Sequence, residues 1–133
     1  MRKLLLDTNT LNYLLKGIAP VADRLEEANA ESASFLLAAP AHYELTRYLD
    51  LKGAHRLRRI YLQITSSWQR CNLSFEDWST AAQLWAERHK SGKSISDMDL
   101  LLATLALREG AVLVTANVRH FEGLSVAVEN WTI

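Results

Sequence analysis

Four carboxylate side chains stand where a folded chain could use them for chemistry. Asp7 ends a short apolar run, and Glu44 follows shortly after a proline. Asp97 and Asp99 open a strongly apolar helical segment. Like charges within about 4–6 Å raise each other's pKa unless a cation neutralises them. Carboxylates without cysteine or a zinc-like histidine spacing select Mg²⁺ or Mn²⁺, which can activate water against a phosphodiester. The residue types therefore indicate a metal-dependent phosphodiesterase.

Each of these acids also has a plainer interpretation. Asp7 could simply cap the helix that follows its strand. Glu44 could owe its place to the dipole of a helix that begins near Pro40. The run Ser96-Asp97-Met98-Asp99 could be a variant of the capping box that starts many helices. Taken singly, no acid indicates an active site, so the prediction depends on a fold that gathers them.

Composition restricts the class of protein. The chain has 133 residues, 49% hydrophobic and 23% charged, which predicts one soluble globular domain rather than a disordered chain. Cys71 is the only cysteine, so an intrachain disulfide and a cysteine-based metal site are excluded. The apolar run at the start, Leu4-Leu5-Leu6, is much shorter than a signal-peptide core. We expect a cytoplasmic protein.

The net charge of zero hides an asymmetry along the chain. Residues 42–75 carry six basic and two acidic side chains, whereas residues 94–133 carry two basic and five acidic ones. A basic surface beside an acidic cluster suits a nuclease, because one attracts phosphate and the other holds cations. Two solvated helix faces of opposite charge would give the same counts, so charge alone does not decide.

The elements that must position these residues alternate between strands and helices. Apolar runs predict strands over residues 3–6, 34–38, 72–74, 111–115 and 126–128. Helical spacing predicts helices over residues 8–16, 21–30, 42–51, 53–66, 78–92 and 97–108, with Trp78 and Trp85 in the core. Continuous apolar strands separated by helices indicate a parallel sheet covered on both faces. The fold class is α/β, a three-layer α/β/α sandwich with a short central parallel sheet, as a single domain over 1–133.

Parallel sheets bind ligands outside the carboxyl ends of their strands. This rule directs attention to the residues that follow each strand: Asp7 and Thr8, His42 and Glu44, Thr115 and Asn117. Asp99 precedes a strand, so it can reach the same edge only through the tertiary fold.

Four motifs, in order along the chain, carry a family resemblance. They are Leu4-Leu5-Leu6-Asp7-Thr8-Asn9, Ala41-His42-Tyr43-Glu44-Leu45, the block from Ile95 to Thr104, and the tail from Val112 to Leu124 with Val128-Glu129-Asn130-Trp131. Together they resemble PIN-domain ribonucleases, and within that superfamily the chain is similar to the VapC-type toxins of bacterial toxin–antitoxin pairs. The resemblance spans essentially the whole chain.

The resemblance implies roles for individual residues. Asp7, Glu44 and Asp99 match the three family acids, and Asp97 matches an additional acid that only some members have. These four would be the catalytic and metal-binding residues, with Mg²⁺ or Mn²⁺ as the cofactor. The implied reaction is endonucleolytic hydrolysis of RNA by a metal-activated water.

Departures from the family pattern reduce the negative charge. Asn117 stands where many members have a fourth acid, and His120 replaces an Asp that often precedes the Phe. The resemblance therefore implies one tightly held ion and leaves open a second that the substrate recruits. Thr8, Asn9, Thr115 and Asn117 would be polar supports that orient water or carboxylates.

The resemblance also implies partners. RNA would follow the basic stretch through its phosphates, at Arg47, Lys52, Arg56 and Arg59, with Arg58 as a further candidate. Family members usually form homodimers and bind a small antitoxin whose tail blocks the acidic pocket.

Two alternatives remain open from the sequence. A catalytically weakened scaffold that binds RNA or an antitoxin would also carry Asn117 and His120. A phosphatase with a nucleophilic aspartate after its first strand is disfavoured, because Asp7-Thr8-Asn9 lacks that pattern's second Asp.

Overall fold

Strands and helices alternate along the chain in the computed structural model, which describes residues 1–133. The five strands are β1 (Lys3–Leu6), β2 (Ser34–Ala38), β3 (Gln69–Cys71), β4 (Val112–Val114) and β5 (Val128–Glu129). The six α-helices are α1 (Thr8–Leu15), α2 (Ala19–Ala30), α3 (Ala39–Leu51), α4 (His55–Thr65), α5 (Phe75–Lys90) and α6 (Asp97–Glu109). A 3₁₀ helix, Val118–Phe121, lies between β4 and β5.

The five strands form one parallel sheet in the order β3-β2-β1-β4-β5. Leu5 of β1 pairs with Leu36 on one side and Leu113 on the other. The chain moves outward from β1 to β3 and then returns to β4, so the strand order reverses beside β1. Ligand sites in open parallel sheets lie at such a reversal, at the carboxyl ends of the strands.

Helices cover both faces of this sheet. Right-handed β–α–β connections place α1 to α4 on one face and α5 and α6 on the other. After Lys3 the central strand is apolar because both its faces are covered: Leu4, Leu5 and Leu6 are all fully buried. The predicted fold class, a three-layer α/β/α sandwich around a parallel sheet, is confirmed.

The two edge strands of the sheet, β3 and β5, lie away from their predicted positions. The third strand was predicted over residues 72–74 and is found at Gln69–Cys71. Ser74 instead begins α5: its Oγ accepts the Asp77 N–H at 3.1 Å, and Asp77 Oδ2 accepts the Ser74 N–H at 2.8 Å. Polar residues such as Arg70 are compatible with an edge strand, but they leave no apolar run from which the strand could be predicted. β5 likewise begins at Val128 rather than at residue 126.

The prediction that Trp78 and Trp85 are core residues is wrong. Their side chains are 52% and 46% exposed. Their spacing does put them on one face of α5, but the helix buries the adjacent stripe, through Asp77, Ala81 and Arg88. No helix in the structure combines the length and the apolar character that a membrane span requires.

Candidate active site

A cleft of about 780 Å³ opens beside the carboxyl end of β1, between α1, α3 and the start of α6. Three groups of residues line it: Thr8, Asn9 and Asn12 from α1; Glu44, Leu45, Arg47, Tyr48 and Leu51 from α3; and Ser96, Met98 and Asp99 around the start of α6. The cleft thus collects side chains from parts of the chain that are far apart in sequence.

Asp7 lies at the junction of β1 and α1. Its Oδ1 accepts the Thr10 N–H at 2.8 Å, which makes Asp7 the N-cap of α1, and its side chain is almost fully buried. Burial raises the pKa of the Asp7 carboxyl above its usual value, hydrogen bonds from Thr115 and Thr10 limit the rise, and the negative charge of Asp99 adds to it. The influence of Asp99 places the two carboxylates within electrostatic reach of each other.

Glu44 faces the cleft from α3, half-buried. This helix begins at Ala39, so Glu44 lies beyond its first turn and the helix-dipole interpretation of this residue is not supported. Its nearest cation is Arg47, whose Nη2 is 3.9 Å from Glu44 Oε2 in an i, i+3 pair. A pair this open contributes little to stability, so the carboxylate remains available to a ligand.

Asp99 enters the cleft from the first turn of α6. Ser96 is the N-cap, and its Oγ accepts the Asp99 N–H at 3.2 Å. The side chain of Asp99 does not complete a capping box. Its Oδ2 instead lies 2.9 Å from Nδ1 of His120, which the 3₁₀ helix carries.

The structure does not bring Asp97 to this cleft. Asp97 is exposed and lines a separate, largely apolar depression with Trp78 and Trp85. Successive residues of an α-helix are about 100° apart around its axis, so residues two positions apart, such as Asp97 and Asp99, face nearly opposite directions. Asp97 and Asp99 therefore face two different depressions from this helix.

The polar support residues divide between two locations. Thr8 and Asn9 line the cleft. Thr115 is fully buried next to Asp7, and its Oγ1 accepts the N–H of Asn117 at 3.0 Å. Asn117 itself lines a neighbouring depression together with His120.

The basic residues reach the cleft unequally. Arg47 lines it, whereas Lys52, Arg56 and Arg59 are exposed on the end of α3 and on α4 without lining it. Arg58 is paired with Asp50. Apart from Arg47, the basic stretch forms a surface beside the cleft.

The donor atoms of the cleft fit a hard cation that keeps much of its water. No three acidic, histidine or cysteine side chains stand close enough together to hold a metal ion. Mg²⁺, however, is commonly bound through one or two carboxylates and several waters. The cleft wall also carries two buried oxygens without a hydrogen-bond partner, Thr8 Oγ1 and Asn12 Oδ1. Such atoms usually have a water or ligand partner.

Sequence reasoning missed some residues of the cleft. Asn12 follows Thr8 by four residues, a spacing that places both on one helix face, and this signal was available. Tyr48 follows Glu44 by the same interval. The contact between His120 and Asp99 joins residues 21 positions apart and had no sequence signal.

Comparisons with known proteins give a family match and several similar structures. The model of the PIN domain family matches residues 4–125. The VapBC2 complex of Rickettsia felis, bound to a promoter DNA fragment, contains a chain that is 25% identical, with 97% of this chain and 98% of that chain covered and a TM-score of 0.84.

Two further structures resemble the fold at lower identity. DNA-bound VapBC from Salmonella typhimurium is 22% identical, with 98% of this chain and 99% of that chain covered and a TM-score of 0.84. VapC20 of Mycobacterium tuberculosis, described as a sarcin–ricin loop cleaving toxin, is 17% identical, with 93% and 98% covered and a TM-score of 0.67. Comparison with curated protein sequences gives no match.

Proposed function

The chain belongs to the PIN domain family, and from this premise we propose that it is a metal-dependent endoribonuclease and the toxin of a VapC-type toxin–antitoxin pair. The observation that carries the proposal is the cleft in which Glu44 and Asp99 converge beside the buried Asp7. A toxin that cleaves the sarcin–ricin loop has the same fold, which supports a cleavage reaction.

The side chains of the cleft divide the work of the proposed reaction. Asp7, Glu44 and Asp99 would hold Mg²⁺ or Mn²⁺, which when bound lowers the pKa of water and stabilises charge on the phosphodiester. Asp7 is oriented by the Thr10 N–H, which its Oδ1 accepts, and Thr115 lies beside it. Arg47 stands at the cleft wall, where a guanidinium can pair with a phosphate of the RNA.

The test is cleavage of total RNA by antitoxin-free protein, with Mg²⁺, with Mn²⁺ and with EDTA. Asp99→Asn removes a cleft carboxylate, whereas Asp97→Asn makes the same change two residues away, outside the cleft. We expect discrete, metal-dependent fragments from the wild type and from Asp97→Asn, and none from Asp99→Asn. Equal cleavage by Asp99→Asn would contradict the proposal.

The proposed partners are a small antitoxin protein and a second copy of the chain. Several structural neighbours are complexes with an antitoxin, which supports the first partner. An antitoxin tail would block the acidic cleft, and an Arg in it would pair with the carboxylates. Light scattering of the antitoxin-free protein tests the homodimer. We propose a cytoplasmic location.

A weakened scaffold that binds RNA or an antitoxin is the second candidate function. It is favoured by the absence of three converging metal ligands and by Asn117 and His120 at positions where the family often has acids. The two candidates differ in metal affinity: a scaffold would bind RNA or the antitoxin without binding Mn²⁺ at the acids.

A further inference from the structure

His120 contacts the cleft carboxylate of Asp99 directly from another element. Its Nδ1 lies 2.9 Å from Asp99 Oδ2, and the two residues lie on the 3₁₀ helix and α6, respectively. Asp99 Oδ1 accepts no hydrogen bond within the protein. One carboxylate oxygen is therefore held by the protein, while the other is available to the cleft.

The backbone that carries His120 is fixed from inside the protein. Arg88 of α5, only 7% exposed, donates from Nη2 to the His120 carbonyl at 3.0 Å and from Nη1 to the Glu122 carbonyl. Phe121, between these two carbonyls, is buried in the core. A buried guanidinium needs such acceptors because an unpaired buried charge is costly. The 3₁₀ helix is thus anchored at its carboxyl end, and this anchor holds the backbone of His120 beside the start of α6.

A carboxylate can accept a hydrogen bond but cannot donate one, so the imidazole must carry its proton on Nδ1 to make this contact. A hydrogen bond to one oxygen restricts the rotation of the carboxyl group and decides which lone pairs face the cleft. Partners of this kind orient the ligands of metal sites, and their loss commonly weakens metal affinity about 10- to 100-fold.

We propose that His120 is a positioning residue for the cleft: its Nδ1–H holds Asp99 Oδ2, so that Oδ1 is presented to the divalent cation, and Arg88 holds His120 in place. The inference rests on the proposed function, because it assigns the cation to Asp99. His120 stands where family members often have an acid. In this proposal it orients Asp99, and it adds neither a metal ligand nor a negative charge.

Two substitutions at this exposed position distinguish the effect of the Nδ1–H donor from the effect of the size of the side chain. His120→Asn keeps an N–H close to the position of Nδ1, whereas His120→Leu keeps the size and removes the donor. We expect Mn²⁺ affinity, measured by electron paramagnetic resonance, to fall about 10- to 100-fold in His120→Leu and to recover largely in His120→Asn. At limiting Mn²⁺ the kcat for RNA cleavage should fall in His120→Leu while KM for RNA stays unchanged, and saturating Mn²⁺ should restore kcat.

A nitrogen-15 NMR spectrum supplies an independent readout. At a pH where the ring is neutral, the wild type should show His120 protonated at Nδ1; protonation at Nε2 would overturn the proposal. Unchanged Mn²⁺ affinity and unchanged metal dependence in a folded His120→Leu would overturn it as well, while leaving the nuclease proposal intact. A wild-type protein that neither binds Mn²⁺ nor cleaves RNA would overturn both.

Discussion

Asp7 performs two tasks that place opposite demands on its carboxyl group. As the N-cap of α1 it accepts the Thr10 N–H, and this contact stabilises the fold. As a buried anion near Asp99 it carries a raised pKa, which means that its ionised form is less favourable in the folded chain than in the unfolded one. Ionised Asp7 therefore destabilises the folded chain, and a bound cation would offset this cost.

We expect Asp7→Asn to abolish RNA cleavage and yet to raise the free energy of unfolding at pH 7 in EDTA. Asparagine is as good an N-cap as aspartate, so the variant keeps the cap and loses the buried charge. Because the folded-state pKa of Asp7 is raised, the advantage of the variant should appear as pH rises above 3.8 and grow until the pH exceeds the folded-state pKa.

Urea unfolding of wild type, Asp7→Asn and Asp7→Ala across this pH range provides the measurement. Asp7→Ala loses the cap as well as the charge and should unfold about 1 kcal/mol more easily than Asp7→Asn. A less stable Asp7→Asn at pH 7, with a smaller deficit in acid, would show that the folded chain favours the ionised carboxylate after all.

At the scale of elements, α5 depends on a short network at its amino end. Asp77 completes the capping box with Ser74 and also pairs with Arg108 of α6. Burial opposes ionisation of Asp77, but the hydrogen bonds from Ser74 and the charge of Arg108 outweigh it and lower the pKa of this carboxyl. The network joins the two helices that cover one face of the sheet.

Asp77→Asn should lower the free energy of unfolding by about 1–3 kcal/mol at pH 7, because Arg108 loses one of its two anionic partners and keeps only Glu109. Since the folded-state pKa of Asp77 is lowered, its contribution is present above pH 3.8 and is lost as pH falls through the folded-state value. The cost of the substitution should therefore shrink in acid. Glu76→Gln, an exposed change in the same turn, should alter stability by less than about 0.5 kcal/mol at either pH.

The sequence predicts an element correctly where the element is determined by nearby residues, and less well where it depends on packing against distant ones. β1 and β2 lie at their predicted residues because apolar runs bounded by polar residues are a local signal. The position of β3 and the outward face of Trp78 depend on neighbours that are distant in sequence, and both predictions were wrong. The order β3-β2-β1-β4-β5 has the same non-local origin.

The candidate site shows the same division. Asp7, Glu44 and Asp99 could be proposed from motifs, and the fold brings them to one region. The separation of Asp97 from Asp99 could have been predicted from helical geometry, because residues two positions apart in a helix face nearly opposite directions. The contact of His120 with Asp99 required the structure, since the 3₁₀ helix is placed by the buried Arg88.

At the scale of the whole molecule, acidic side chains lie in the cleft and basic side chains lie on the surface beside it. Arg47 stands in the cleft wall, and Lys52 and Arg56 are exposed at the junction of α3 and α4. In the proposed function, an RNA strand that enters the cleft would extend over this junction, where the basic side chains would displace counterions from its phosphates. The overall charge of zero is thus compatible with a locally favourable path for RNA.

We expect the double variant Lys52→Ala, Arg56→Ala to bind single-stranded RNA more weakly. The slope of log affinity against log salt should become shallower by about 0.7 for each phosphate that the variant no longer neutralises. Lys16→Ala removes an exposed charge at the far end of α1 from the cleft and should leave the slope unchanged. Fluorescence anisotropy with labelled RNA, in EDTA to prevent cleavage, measures both. Equal slopes for wild type and double variant would remove this surface from the RNA path.

The proposed function requires above all that the cleft acids bind a divalent cation. The most direct test is the equilibrium binding of Mn²⁺ to the antitoxin-free protein, followed by electron paramagnetic resonance, with Asp99→Asn and Asp97→Asn in parallel. We predict a tight site in the wild type and in Asp97→Asn, weakened at least about tenfold in Asp99→Asn. A wild type that binds no Mn²⁺, or an affinity that Asp99→Asn leaves unchanged, would contradict the metal-dependent nuclease and favour the scaffold.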